Sequence, residues 1–198
     1  RDKGQHKEAI ADFDKAIELD PTYAPARLER GAVKRRMGKF DEAAADFDRV
    51  IEIDPRLTDA YLERALVREG QGKTEEAVAD FGRAIEVDPT NPAPYAWRGT
   101  LYSRQGKLEA ALSDLDRAIE LDPKLADAYV VRGKIRQYQK KFPEAVANYT
   151  RAIELNPKLA EPLFLRGSIN LERGKVAEAL ADYGKVLELE PDHATARV

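Results

Sequence analysis

Apolar residues recur along this chain at spacings of three and four. In one stretch they fall at Ala77, Val78, Phe81, Ala84 and Ile85, and further on the same order reads Ala111, Leu112, Leu115, Ala118 and Ile119. That spacing gathers them on one face of a helix and predicts amphipathic α-helices. A second apolar stripe precedes each of these, through Tyr61 and Ala65, then Tyr95, Gly99 and Tyr102, then Tyr129 and Gly133. It predicts a partner helix with a small residue in its face, at Gly31, Ala65, Gly99, Gly133 and Gly167. The partner's own small residue, at Ala43, Ala77, Ala111, Ala145 or Ala179, is expected opposite, so that the two backbones approach closely.

Turn signals separate the stripes: Gly38-Lys39, Gly72-Lys73, Gly106-Lys107, Lys140-Lys141 and Gly174-Lys175. Glycine suits a helix C-terminal cap that needs positive φ, so Lys140 makes its turn the weakest. Asn91 before Pro92 reads as an N-cap followed by proline at the first helical position. The second helices close on Asp20-Pro21, Asp54-Pro55, Asp88-Pro89, Asp122-Pro123, Asn156-Pro157 and Glu190-Pro191, since a residue before proline is pushed out of the helical region. These prolines are 34 residues apart. The period divides the chain into full units 24–57, 58–91, 92–125, 126–159 and 160–193, with a half unit 1–23 ahead and a stub 194–198 behind. Residues 1–198 are therefore read as one repeat array, each full unit a pair of helices. Arg1 falls inside a repeat, so the chain is expected to be a piece of a longer one.

A helix-turn-helix of this period, with a small residue in the first helix, alanine and an aromatic in the second and proline near the end, resembles the tetratricopeptide repeat family. The resemblance covers essentially the whole chain. It implies an all-α fold, a right-handed α-solenoid of stacked antiparallel helix pairs whose first helices line a concave face. Two departures stand out: Arg27 and Leu163 replace an early aromatic of the first helix, and arginine always precedes the small residue where the family favours leucine.

Composition narrows the function. A formal net charge of −3 gives no basic excess for nucleic acid or an anionic membrane, and the absence of cysteine removes thiol chemistry. No apolar run approaches the roughly 20 residues of a membrane span. Gly72-Lys73-Thr74 ends like a phosphate-binding loop, but Val67 stands where that loop needs glycine. His6 and His193 lack partners at metal-ligand spacing. Asn148-Tyr149-Thr150 fits a glycosylation sequon, yet Tyr149 occupies the core aromatic position. No catalytic residue, metal or cofactor is expected, and the chain is read as a non-enzyme. Basic stretches at 27–39 and 132–141 raise an RNA-binding helical repeat as a lesser alternative. The interleaved acids and strict period argue against it.

The arginines before the small residue are Arg30, Arg64, Arg98, Arg132 and Arg166, and 16 residues after each comes Asp46, Asp80, Asp114, Asn148 or Asp182. The turn lies midway, so arginine and acid should meet across each hairpin. A row of anion-binding arginines is the functional alternative. Structural pairing is preferred, because a partly buried guanidinium needs the partner that is already present.

What varies between repeats is the face of the first helices turned away from the hairpin. It carries Leu28, Leu62, Leu66, Trp97, Arg104, Val130, Val131, Lys134, Tyr138, Phe164 and Leu165, a largely apolar track edged by charge. Trp97 follows Tyr95 by two residues, about 200° around the helix, so it cannot share the core with it. The expected function is a protein-protein interaction module that holds an apolar or amphipathic peptide or helix in this groove. The alternative is a structural element that self-associates through its ends.

Overall fold

The computed structural model describes residues 2–192; Arg1, His193 and the stub 194–198 lie outside the described residues. Eleven helices follow one another among the described residues: α1 (Asp2–Leu19), α2 (Ala24–Arg36), α3 (Phe40–Ile53), α4 (Thr58–Gly70), α5 (Thr74–Val87), α6 (Pro92–Arg104), α7 (Leu108–Leu121), α8 (Ala126–Tyr138), α9 (Phe142–Leu155), α10 (Ala160–Glu172) and α11 (Val176–Leu189). The chain divides between Arg98 and Gly99, inside α6, into two compact units. In the first, α2 pairs with α3 and α4 with α5, while α1 and α3 join successive hairpins. In the second, α8 pairs with α9 and α10 with α11, with α7 packed on α8 and α9 on α10.

The turns explain why the hairpins close. Gly38, Gly72, Gly106 and Gly174 have φ between 72° and 75°, and Lys140 reaches 58° at the same position. Around Gly38 the Lys39 amide donates to the Lys34 carbonyl (2.9 Å) and the Gly38 amide to that of Arg35 (2.9 Å). Lys141 and Lys140 make the equivalent bonds to Arg136 (2.8 Å) and Gln137 (2.9 Å), so the turn survives without glycine. At the opposite ends Asp54 is extended (φ −136°), and its carboxylate accepts the Arg56 amide at 2.9 Å. The Asn91 side chain accepts the Ala93 amide at 3.0 Å where α6 begins.

Burial joins neighbours. Ala43 and Phe47 of α3 cluster with Val67 of α4, and Ala145 and Tyr149 of α9 with Ile169 of α10. α3 and α9 are therefore each shared between their own partner and the next repeat, as expected of a stacked array. One expectation changes here. At Gly31 and Gly133 the neighbour that needs the missing side chain is an aromatic ring and not the facing alanine: a Cβ would fall 2.7 Å from Phe47 and 2.6 Å from Tyr149. The close approach is that of a flat ring lying over bare backbone. Burial, with the charge of Glu161 adding to it, pushes the Tyr149 phenol above its ordinary pKa, and its hydroxyl donates to Gln137 at 2.7 Å.

Candidate peptide-binding surface and the arginine ladder

Arg30 on α2 donates through Nε (3.0 Å) and Nη2 to both oxygens of Asp46 on α3. Arg64 holds Asp80 in the same way at 2.9 and 2.6 Å, and Arg166 holds Asp182 at 2.9 and 2.7 Å. Arg132 donates to the side-chain carbonyl of Asn148 at 2.7 Å, and the Asn148 amide donates to the Glu144 carbonyl. Asp46, Asp80, Asp114, Asn148 and Asp182 are all buried. Such forked pairs suit a carboxylate withdrawn from water, which would otherwise be strongly destabilising. Lys34 adds a second cation to Asp46 (2.9 Å) and Arg68 to Asp80 (2.8 Å).

Three of these guanidiniums also have a second acidic partner that sequence reasoning missed. The Nη1 of Arg30 donates to Asp14, that of Arg64 to Asp48 (2.6 Å) and that of Arg132 to Asp116 (2.6 Å). These aspartates belong to the second helix of the preceding repeat, so the arginine ties repeat to repeat as well as helix to helix. The signal was present as an acid two residues after the ladder acid, in Asp46-Phe47-Asp48 and Asp114-Leu115-Asp116. The hydrogen bond to Asp46, opposed by burial and aided by Asp14, pushes the Arg30 guanidinium further above its usual range. Arg30, Arg64 and Arg132 are thus each engaged on both sides by groups of the fold.

The varying positions of the first helices behave differently. In the first unit Leu28 and Leu62 line a cleft of about 160 Å³ between α2 and α4, edged by Glu29, Asp59, Glu63 and Arg36. Leu66 is half-buried on the same helix, and Trp97 on α6 keeps 39% of its surface exposed. In the second unit Arg104, Lys134 and Tyr138 meet at a cleft of about 330 Å³ beside Ser103 and Leu108. Tyr138 is 79% exposed, and Lys134 pairs with Glu161 at 2.6 Å.

The rest of the expected track does not hold together. Val130 is 5% exposed, enclosed by Tyr129 and Ala152 with Ile119 and Leu155 alongside, so it offers no surface to a ligand. The reason is that α8 is covered from both α7 and α9, and the face carrying Val130 is one of the covered ones. Val131 packs on the cluster of Ala111 and Leu115, and Leu165 on that of Tyr149 and Ile169. Phe164 lies against the Tyr183 ring of its own hairpin, centroids 5.7 Å apart, rather than facing away from it. These three are half-buried.

Sequence profiles described as TPR repeat match residues 1–38, 70–106 and 101–140, and tetratricopeptide repeat profiles match 24–57, 126–159 and 160–193. The chain belongs to the tetratricopeptide repeat family. Solved tetratricopeptide-like structures share the fold. YrrB, described as a TPR protein with an unusual peptide-binding site, is 23% identical over 93% of this chain and 95% of its own, with a TM-score of 0.72. MamA is 25% identical over 83% and 96% (TM-score 0.72), and PilF of Pseudomonas aeruginosa 19% identical over 87% and 79% (TM-score 0.81). No curated protein matches the chain in sequence. Tetratricopeptide repeats bind protein or peptide partners and typically serve as non-catalytic scaffolds, so this chain is a protein-interaction scaffold of the all-α solenoid class. No described helix is long and apolar enough to cross a membrane.

Proposed function

We propose that this tetratricopeptide array captures an amphipathic segment of a partner protein on the exposed faces of its first helices. The observation that carries the reading is the exposure of two large aromatics, Trp97 and Tyr138, on helices whose other aromatics are at least partly buried. Aromatic side chains at the edge of a cleft are frequent anchors, contributing about 2 kcal/mol or more each when covered. Charge divides the two units. Arg104 and Lys134 beside Tyr138 in the second unit suit acidic residues of a partner, whereas Glu29, Asp59 and Glu63 around Leu28 and Leu62 in the first suit basic ones. That a solved neighbour is described as peptide-binding supports the same reading. The test is affinity capture with the wild-type chain, Trp97→Ala and Tyr138→Ala, with helicity followed by circular dichroism. Each substitution is expected to weaken partner capture about thirtyfold with helicity intact. Undiminished capture by the double variant removes the proposal.

A second reading, self-association, rests on α11. Val176 and Leu180 are more than half exposed, whereas Phe142 and Val146 at the corresponding positions of α9 pack on the cluster that includes Ile169 of α10. Sedimentation across a concentration series checks it: association that disappears in Val176→Glu with Leu180→Glu supports the reading, and a monomer throughout eliminates it.

A further inference from the structure

A polar cleft of about 360 Å³ lies at the last hairpin, between α9, α10 and α11, and makes no use of the surface proposed above. There the ladder changes composition. The Nη1 of Arg166, whose counterparts on Arg30, Arg64 and Arg132 meet an aspartate of the preceding second helix, meets the Thr150 hydroxyl instead, at 2.9 Å. Position 170, where three earlier repeats place Lys34, Arg68 and Arg136 and the other Tyr102, holds Asn170. Asn170 is 8% exposed and lines the cleft, and among the described residues its side chain makes no hydrogen bond. Its amide is thus left free to donate to a group that enters the cleft.

Charge indicates what that is. Arg166, Lys175 and Lys185 border the cleft against Glu178 and Asp182, and Asp182 is already bound by Arg166. Neither Lys175 nor Lys185 forms an ion pair among the described residues, unlike Lys39 of the first full repeat, which pairs with Glu42 at 2.8 Å. The site thus has a guanidinium edge, two ammonium groups and an amide donor, and it lacks the carboxylate that Asp14, Asp48 and Asp116 provide to Arg30, Arg64 and Arg132.

We propose that this cleft binds a carboxylate from an acidic segment of a partner protein, the external group standing where Asp14, Asp48 and Asp116 stand beside Arg30, Arg64 and Arg132. Charge-assisted bonds from Arg166 and the lysines hold it, and the Asn170 amide completes its shell.

The test titrates the isotope-labelled chain with an acetylated tetra-aspartate amide, following the backbone amides of 146–185 and the Asn170 side chain by NMR. Saturable shifts confined to this region are expected, with none from the tetra-asparagine counterpart. Thr150→Asp places a carboxylate in the cleft from within and should weaken tetra-aspartate binding about tenfold or more, and Lys175→Gln with Lys185→Gln should do the same. Absence of shifts, equal shifts from tetra-asparagine, or undiminished binding in both variants overturns the proposal. Sodium phosphate is titrated alone. If it saturates the same resonances at lower concentration than the peptide, the cleft is a free-anion site and the acidic-peptide assignment falls.

Discussion

Asp80 is nearly inaccessible yet engages two arginines, accepting hydrogen bonds from Arg64 and forming an ion pair with Arg68. Replacing it with alanine leaves both guanidiniums without their buried acceptor, a loss of about 3–5 kcal/mol. Glu86 pairs with Arg83 at 2.6 Å on the exposed face of the same helix, and Glu86→Ala should cost under about 1 kcal/mol. Urea unfolding of the two variants measures the contrast, and equal losses would remove the structural role of the ladder. The same logic explains Arg27, which departs from the family pattern. Its guanidinium donates to the Pro21 carbonyl at 3.0 Å, just as the hydroxyls of Tyr95 and Tyr129 reach toward Pro89 and Pro123. The chemistry of the contact is kept while the residue type changes.

At the scale of the element, the turn decides how easily a hairpin forms. Lys140 takes the left-handed conformation that Gly38, Gly72, Gly106 and Gly174 take elsewhere, and it makes the same backbone bonds. A side chain pays a conformational cost there that glycine does not. Lys140→Gly is expected to raise stability by about 0.5–1 kcal/mol, the gain being trimmed by the larger entropy of glycine in the unfolded chain. Thermal unfolding checks this, and a lower midpoint would show that Lys140 contributes more than its backbone. The helix ends behave consistently. Hydrogen bonds from the Thr22 and Thr90 side chains and amides hold the Asp20 and Asp88 carboxyls below their usual range, so each acid that precedes a proline also orders the turn after it.

For the whole molecule, stability is the sum of repeats and their junctions. The arginine ladder is one such junction, and its composition varies along the chain. Position 82 is glycine where the neighbouring repeats carry Asp48 and Asp116, and a Cβ built there would lie 3.6 Å from Nη1 of Arg98. Gly82→Asp should restore the carboxylate and exceed Gly82→Asn in stability by about 0.5 kcal/mol, with neither falling below wild type because glycine inside a helix is itself unfavourable. Chemical unfolding of both variants at low and high salt gives the result. A salt-independent equality of the two would mean that the junction draws nothing from the charge.

Much of the fold could be read directly from the chain. The spacing of Ala77, Phe81 and Ala84 defines a helix face, the proline interval defines the repeat, and Arg64 with Asp80 can be paired by their equal distance from Gly72. These are local facts, set by helix geometry and by the reach of a short turn. The second partner of each arginine and the fate of the variable track depend on which helix of the next repeat lies where. Only packing showed that Asp48 reaches Arg64, that a ring rather than an alanine rests on Gly133, and that Val130 is enclosed while Tyr138 is left in water. Residues repeated in every unit were legible because each repeat makes the same contacts. Residues that differ between units acquire a role only from their neighbours, which period and periodicity do not specify.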